Sequence, residues 1–139
     1  MESLSVRVST RTRAAGNIVC FGIDPVLDRI PLEGDPAQVV ERFGLGFLDA
    51  CAKRGVLPAA VKPNAGYYEA LGAAAVASLA RVCRAWREAG VLVVLDAKRG
   101  DIGRSSGAYA QAAYGPFHAD VRRFRPRTFR GQVWTLRPR

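Results

Sequence analysis

The chain has 139 residues, 49% of them hydrophobic, which suits one modest core and one domain. Its formal charge of +9 points first towards nucleic acid, but the distribution argues against that partner: residues 1–116 carry 14 basic and 11 acidic side chains, whereas residues 117–139 carry seven arginines against Asp120 alone. No run of about 20 apolar residues suited to a membrane span is present, and the basic N-terminus, MESLSVRVSTRTRAAGNIVC, lacks the continuous apolar segment of a signal peptide.

Residues 1–16 read as an N-terminal extension with no assigned element. The first apolar run follows: NIVCFGI (17–23), rich in β-formers and ending at Asp24-Pro25. DPAQVVERFGLGFLDACAKRG (35–55) predicts a helix, with Asp35 as N-cap, Pro36 at the first helical position and Gly55 as the stop. Val39, Val40, Phe43, Phe47, Leu48 and Cys51 recur at spacings of three and four and give it one apolar face. The GLG at 44–46 has no following glycine and is too weak a signal for a phosphate loop.

VLPAAV (56–61) is the second apolar run, ending at Lys62-Pro63-Asn64; Pro58 weakens it as a strand because proline cannot donate to a ladder. GYYEALGAAAVASLARVCRAWREAG (66–90) predicts the next helix, striped by Leu71, Ala75, Leu79, Val82 and Trp86 and stopped at Gly90. VLVVL (91–95) is the third run, ending at Asp96. The runs begin about 35–40 residues apart, a spacing suited to βα units. Near-continuous apolar strands alternating with helices imply an α/β fold with a parallel sheet. Cys20, Cys51 and Cys83 lie in these segments without metal-ligand spacing and read as free buried thiols of a reducing cytoplasm.

All three runs end at ionisable residues: Asp24, Lys62 and Asp96. In β/α barrels the C-terminal ends of strands carry the catalytic groups, so three such endings in succession point to a shared polar mouth. The third is the densest, with Asp96, Lys98, Arg99 and Asp101 inside six residues. A solvated turn with incidental ion pairs is one reading of this cluster, and such pairs contribute about 1 kcal/mol or less. The chain, however, has 18 arginines and only three lysines, two of which, Lys62 and Lys98, follow strand ends. An ammonium can give up a proton and approach a reacting carbon, which a guanidinium cannot do. A lysine between carboxylates has its charged form favoured until a substrate needs the proton.

FGIDP (21–25), VKPNAGYYEALG (61–72) and DAKRGDIG (96–103), with Tyr109-Ala110 downstream, resemble the orotidine 5′-phosphate decarboxylases, in particular the bacterial group carrying DAKRGDIG. The likeness spans about residues 17–114, with the motifs in order. It implies a partial (β/α)8 TIM barrel of about three βα units. It also implies conversion of orotidine 5′-phosphate to UMP and carbon dioxide, the last step of de novo pyrimidine synthesis, in a cytoplasmic homodimer without metal or organic cofactor. Lys98 would be the proton donor to C6 of the pyrimidine, Asp96 would sit beside the scissile carboxylate, and Lys62 would complete an alternating network. Asp101 would serve the neighbouring subunit's site. Asp24 and Asn64 would bind substrate, Asp24 at a ribose hydroxyl, and Ser105 stands where the family usually has threonine. Asn64 and Tyr67 also fit a simple turn into the next helix. His118, the only histidine, has no sequence neighbours that suggest catalysis.

A whole barrel takes about 250 residues. Residues 17–116 therefore read as the first half of such a domain, and the arginine-rich PFHADVRRFRPRTFRGQVWTLRPR (117–139) as a poorly ordered tail that adds no barrel structure. Its composition suggests a reading-frame shift near residues 118–121. The family's late glycine-rich loops and phosphate-binding arginine have no counterpart in this sequence, so weak activity or none is expected of the chain by itself. A non-catalytic fragment with a basic tail and a related sugar-phosphate decarboxylase on the same barrel are the competing readings.

Overall fold

The computed structural model describes residues 3–99, 103–124 and 133–136. The elements in chain order are α1 (Leu4–Ala15), β1 (Cys20–Ile23), a 3-10 turn (Leu27–Arg29), α2 (Pro36–Lys53), β2 (Ala60–Pro63), α3 (Ala65–Glu69), α4 (Ala73–Glu88), β3 (Leu92–Arg99), α5 (Gly103–Tyr114), β4 (Val121–Phe124) and β5 (Val133–Leu136). Strands β1 to β4 pair in parallel and in sequence order, and β5 returns antiparallel along β4. An unreversed order with helices between successive strands is that of consecutive barrel units; a doubly wound sheet reverses its order at a switch point.

Asp35 caps α2 as its sequence predicts, accepting from the amides of Ala37 (3.0 Å) and Gln38 (3.2 Å). The helix ends at Lys53, and Gly55 takes a φ of +66° to turn the chain away. Pro58 lies before β2, so its missing donor costs the ladder nothing. Asn17 braces that approach, donating to the Leu57 carbonyl (3.0 Å) and accepting from the Ala59 amide (3.2 Å).

The core lies between the sheet and α2 and α4. Val61, Val93 and Leu95 point from the strands to Val40, Leu79, Val82 and Trp86, all at most 1% exposed. Gly44 is a packing residue: a Cβ there would stand 2.9 Å from Val82 Cγ1, so only glycine lets α2 approach α4 this closely. Trp86 Nε1 donates to the Gly44 carbonyl across the same contact (3.3 Å), and Ser78 Oγ donates to the Ala37 carbonyl (2.9 Å).

Four points add to the sequence expectations or correct them. The N-terminal extension, left without an element, contains a helix, α1, capped by Ser3 and closed by Gly16 in the left-handed region; alternating Ser, Thr and Arg hide its periodicity. The helix expected over 66–90 is two, because Gly72, with φ +89° and ψ −176°, breaks the chain between α3 and α4. The three thiols are not all buried: Cys83 is, but Cys51 is half-buried, and Cys20 is exposed on β1.

The fourth concerns the tail. The sheet continues into it, with β4 parallel to β3 in the register Val94↔Val121. The Asp120 amide donates to the Val93 carbonyl (2.9 Å), while Asp120 Oδ2 accepts from the Val93 amide (3.1 Å). This reciprocal pair fixes where the strand starts, and Ala119, Asp120 and Val121 are buried. Four residues reading Val-Arg-Arg-Phe carry no alternation from which the strand could be recognised.

Candidate functional site

Strand register decides which residues share a level. Gly22 pairs with Lys62, and Val61 pairs with Val93. One step further, the Asn64 amide donates to the Ile23 carbonyl (3.2 Å), and Asn64 and Asp96 form a parallel bridge. Asp24, Asn64 and Asp96 therefore form a row across three strands, with adjacent strands about 5 Å apart. Lys62 stands one layer below. This is the shared mouth expected of the strand endings, although Asp96 lies within β3 rather than after it, because the strand runs on to Arg99.

Asp96, at the β3 end of the row, gathers its charges. It is 2% exposed, and its Oδ2 accepts from Lys98 Nζ at 2.9 Å and from Lys62 Nζ at 3.3 Å. Burial pushes its carboxyl up, but the hydrogen bond and charge of Lys98, joined by those of Lys62, outweigh that effect and hold it below its usual range. The two ammonium groups thus favour the charged carboxylate against the desolvation that disfavours it.

The local backbone explains how Lys98 reaches back over two residues. The β3–β4 register slips between Asp96 and Arg99, and Lys98 takes a φ of +43°, uncommon for a side-chain-bearing residue. The bulge turns the ammonium onto Asp96 while leaving the Lys98 side chain about half exposed, accessible to a ligand. Arg99 is held beside it, ion-paired with Glu69 and stacked 5.3 Å from the Tyr109 ring centroid.

The other expected residues are less enclosed. Asp24 is exposed, directly after β1. Asn64 has the cap role that its sequence position allows, its Oδ1 accepting from the Gly66 amide at 3.2 Å. Ser105 is exposed on α5, and Asp101 lies outside the described residues. His118 accepts from Arg84 Nε (3.3 Å), away from the row.

A cleft of about 470 Å³ adjoins Asn64, walled by Val26, Leu27, Asp28, Tyr67 and Leu71. Sequence reasoning assigned no role to Val26, Leu27 or Asp28, which follow Pro25 in a segment without periodicity. It also passed over Tyr68, a fully buried residue of α3. Burial raises the Tyr68 phenol well above its usual value, with Cys83 and the charge of Asp24 adding to the effect. Among the described residues, no group of three or more His, Cys, Asp or Glu could hold a metal ion, and no helix is long and apolar enough to cross a membrane.

No protein-family model matches the chain. Curated relatives do. The orotidine 5′-phosphate decarboxylase of Salinispora tropica is 39% identical over 127 residues, covering 87% of this chain and 44% of that protein. Among solved structures, a candidate orotidine 5′-phosphate decarboxylase from Streptomyces avermitilis superposes with a TM-score of 0.74 at 33% identity, over 86% of this chain and 42% of that one. The OMP decarboxylase of Leishmania donovani superposes with a TM-score of 0.66 at 32% identity, again over 42% of its chain. The chain spans less than half the length of the curated relatives it matches. Within that span it is a homologue of the orotidine 5′-phosphate decarboxylases, and its parallel sheet is a section of their β/α barrel.

Proposed function

We propose that the chain is the lysine-bearing section of a cytoplasmic orotidine 5′-phosphate decarboxylase, releasing carbon dioxide from the substrate without metal or organic cofactor. The observation that carries this reading is a buried carboxylate between two ammonium groups at the C-terminal ends of parallel strands. In the proposed reaction the bond between C6 and the substrate carboxylate breaks. Its electron pair stays on C6, and Lys98 Nζ delivers the proton that completes UMP. Asp96 lies by the departing carboxylate and disfavours it electrostatically; Lys62 holds Asp96 ionised and in place. Asp24 and Asn64 face the ribose, and Ser105 offers a hydroxyl. Asp101 acts across the interface of a homodimer.

The substrate's 5′-phosphate is bound by barrel units beyond those found in this sequence. Since remote binding energy is what such catalysis draws on, the chain alone turns over slowly or not at all. The test is to join residues 1–124 to the remaining barrel section of the Salinispora tropica relative and follow the ultraviolet absorbance of orotidine 5′-phosphate. Lys98→Ala should lower kcat by at least about 100-fold, the scale of a lost general acid. Lys98→Arg should fail too, since a guanidinium is a poor proton donor. Substantial activity in the arginine variant would show that only positive charge matters at that position and would overturn the assignment.

A further inference from the structure

The end of the sheet opposite Lys98 holds a second group of charges. Arg7, Thr10 and Arg11 stand at i, i+3 and i+4 on α1 and so share a face of that helix. With Arg87, Gly90 and Asp120 they line a cavity of about 270 Å³ at the N-terminal edge of β3. Asp120 is the one acid among the residues lining it. Its Oδ1 accepts from Arg7 Nη2 at 2.6 Å and lies 3.5 Å from Arg87 Nε, while its Oδ2 is taken by the Val93 amide. Three guanidinium groups against one carboxylate leave a formal excess of two positive charges around the cavity.

Arg11 is the unmatched member. Its Nε is buried with no hydrogen-bond partner among the described residues, and its guanidinium lies against the bare backbone of Gly90. A buried donor without an acceptor is unfavourable, and a planar fork flanked by a second arginine and a hydroxyl is suited to the oxygens of a phosphate. A dianion would also match the excess charge, which a single carboxylate would not. We propose that this cavity binds a phosphate dianion, free or as the terminal group of a small ester, through Arg11, Arg87 and Thr10, with Asp120 holding Arg7 in place beneath it.

This site is distinct from the row at Asp96. The Lys98 ammonium sits at Asp96, four residue steps along β3 from Leu92, or about 13 Å at some 3.3 Å per residue. A nucleotide with its base at Lys98 therefore cannot place its phosphate here, and the proposal does not depend on the decarboxylase reading.

Calorimetric titration of the full chain at low salt with inorganic phosphate, and separately with methyl phosphate, tests it. Saturable one-to-one binding is expected, weakened about tenfold or more by Arg11→Gln, the scale of one lost charge-assisted contact. Arg54→Gln, the same charge change at the exposed C-cap of α2 and outside the residues lining the cavity, should leave the affinity within about twofold. Binding of both ligands would identify an ester site; binding of the free ion alone would identify an inorganic phosphate site. If Arg11→Gln melts without cooperativity, Arg11→Lys keeps the charge, loses the fork and should weaken binding similarly. Absence of saturable binding, equal losses in the Arg11→Gln and Arg54→Gln variants, or undiminished binding in Arg11→Lys would each overturn the proposal.

Discussion

The two faces of the sheet are finished to different degrees. On the outer face Val61, Val93 and Leu95 share one buried cluster with side chains from α2 and α4, the helices of neighbouring βα units. On the inner face Ala60, Leu92, Val94 and Val121 form a small separate cluster, to which the described residues add only Leu4 of α1. Beside it, Ile18 is 87% exposed and Val19 47%. The outer face of a barrel is completed locally, one helix per strand, whereas the inner face is completed by strands from across the barrel. A section of barrel can therefore have a dense outer core and an open inner one.

The largest effect should come from the outer face. Trp86→Ala removes a fully buried ring and its bond to the Gly44 carbonyl, and should cost about 3–5 kcal/mol in urea melts. A loss under about 1 kcal/mol would mean that the outer core is not what holds the chain together.

Asp120→Ala comes next, because it tests whether the β3–β4 junction is part of the same cooperative unit. It leaves the buried Val93 amide without its acceptor and should cost about 1–3 kcal/mol. No change in the melt would place residues from 119 onward outside the folding unit.

Acid should sharpen the contrast in a different way. The Asp96 carboxyl is held below its ordinary value, so its contribution to stability is full above the unfolded value of about 4 and is lost as pH falls through the lower folded value. Asp96→Asn should flatten the fall in melting temperature across that window, while leaving two lysines without their shared partner at neutral pH. An unaltered acid profile would assign the loss to other carboxylates, such as Glu41, which Arg81 holds low in the same sense.

The smallest effect belongs to the open face. Ile18→Ser should shift stability by no more than about 0.5 kcal/mol but reduce self-association in sedimentation. A large destabilisation would mean that this apolar surface is already covered.

This contrast also explains what the sequence revealed. The units closed by local contacts were legible: Asp35 and Pro36 mark the start of α2, and the apolar runs mark three strands. Lys62, Asp96 and Lys98 were legible as a group because lysine is rare here and follows strand ends. What failed was non-local or single-residue. Helix α1 has no buried side chain to impose a period. Strand β4 is specified by Asp120 closing onto Val93, a contact spanning 27 positions. The break at Gly72 depends on one dihedral angle inside an alanine-rich stretch that otherwise favours helix.

The positive φ of Lys98 has a consequence for selection on this sequence. A side chain in that region costs about 1–2 kcal/mol of backbone energy that glycine avoids. Lys98→Gly should therefore relax the bulge at the same time as it deletes the amine. Random mutagenesis screened only for soluble, heat-resistant protein would drift towards glycine at position 98, and would do so fastest where no one was asking the chain to turn over substrate. Retention of lysine there under a stability screen alone would mean that the bulge is relaxed by its surroundings; its loss would identify the position as one where folding and chemistry pull in opposite directions.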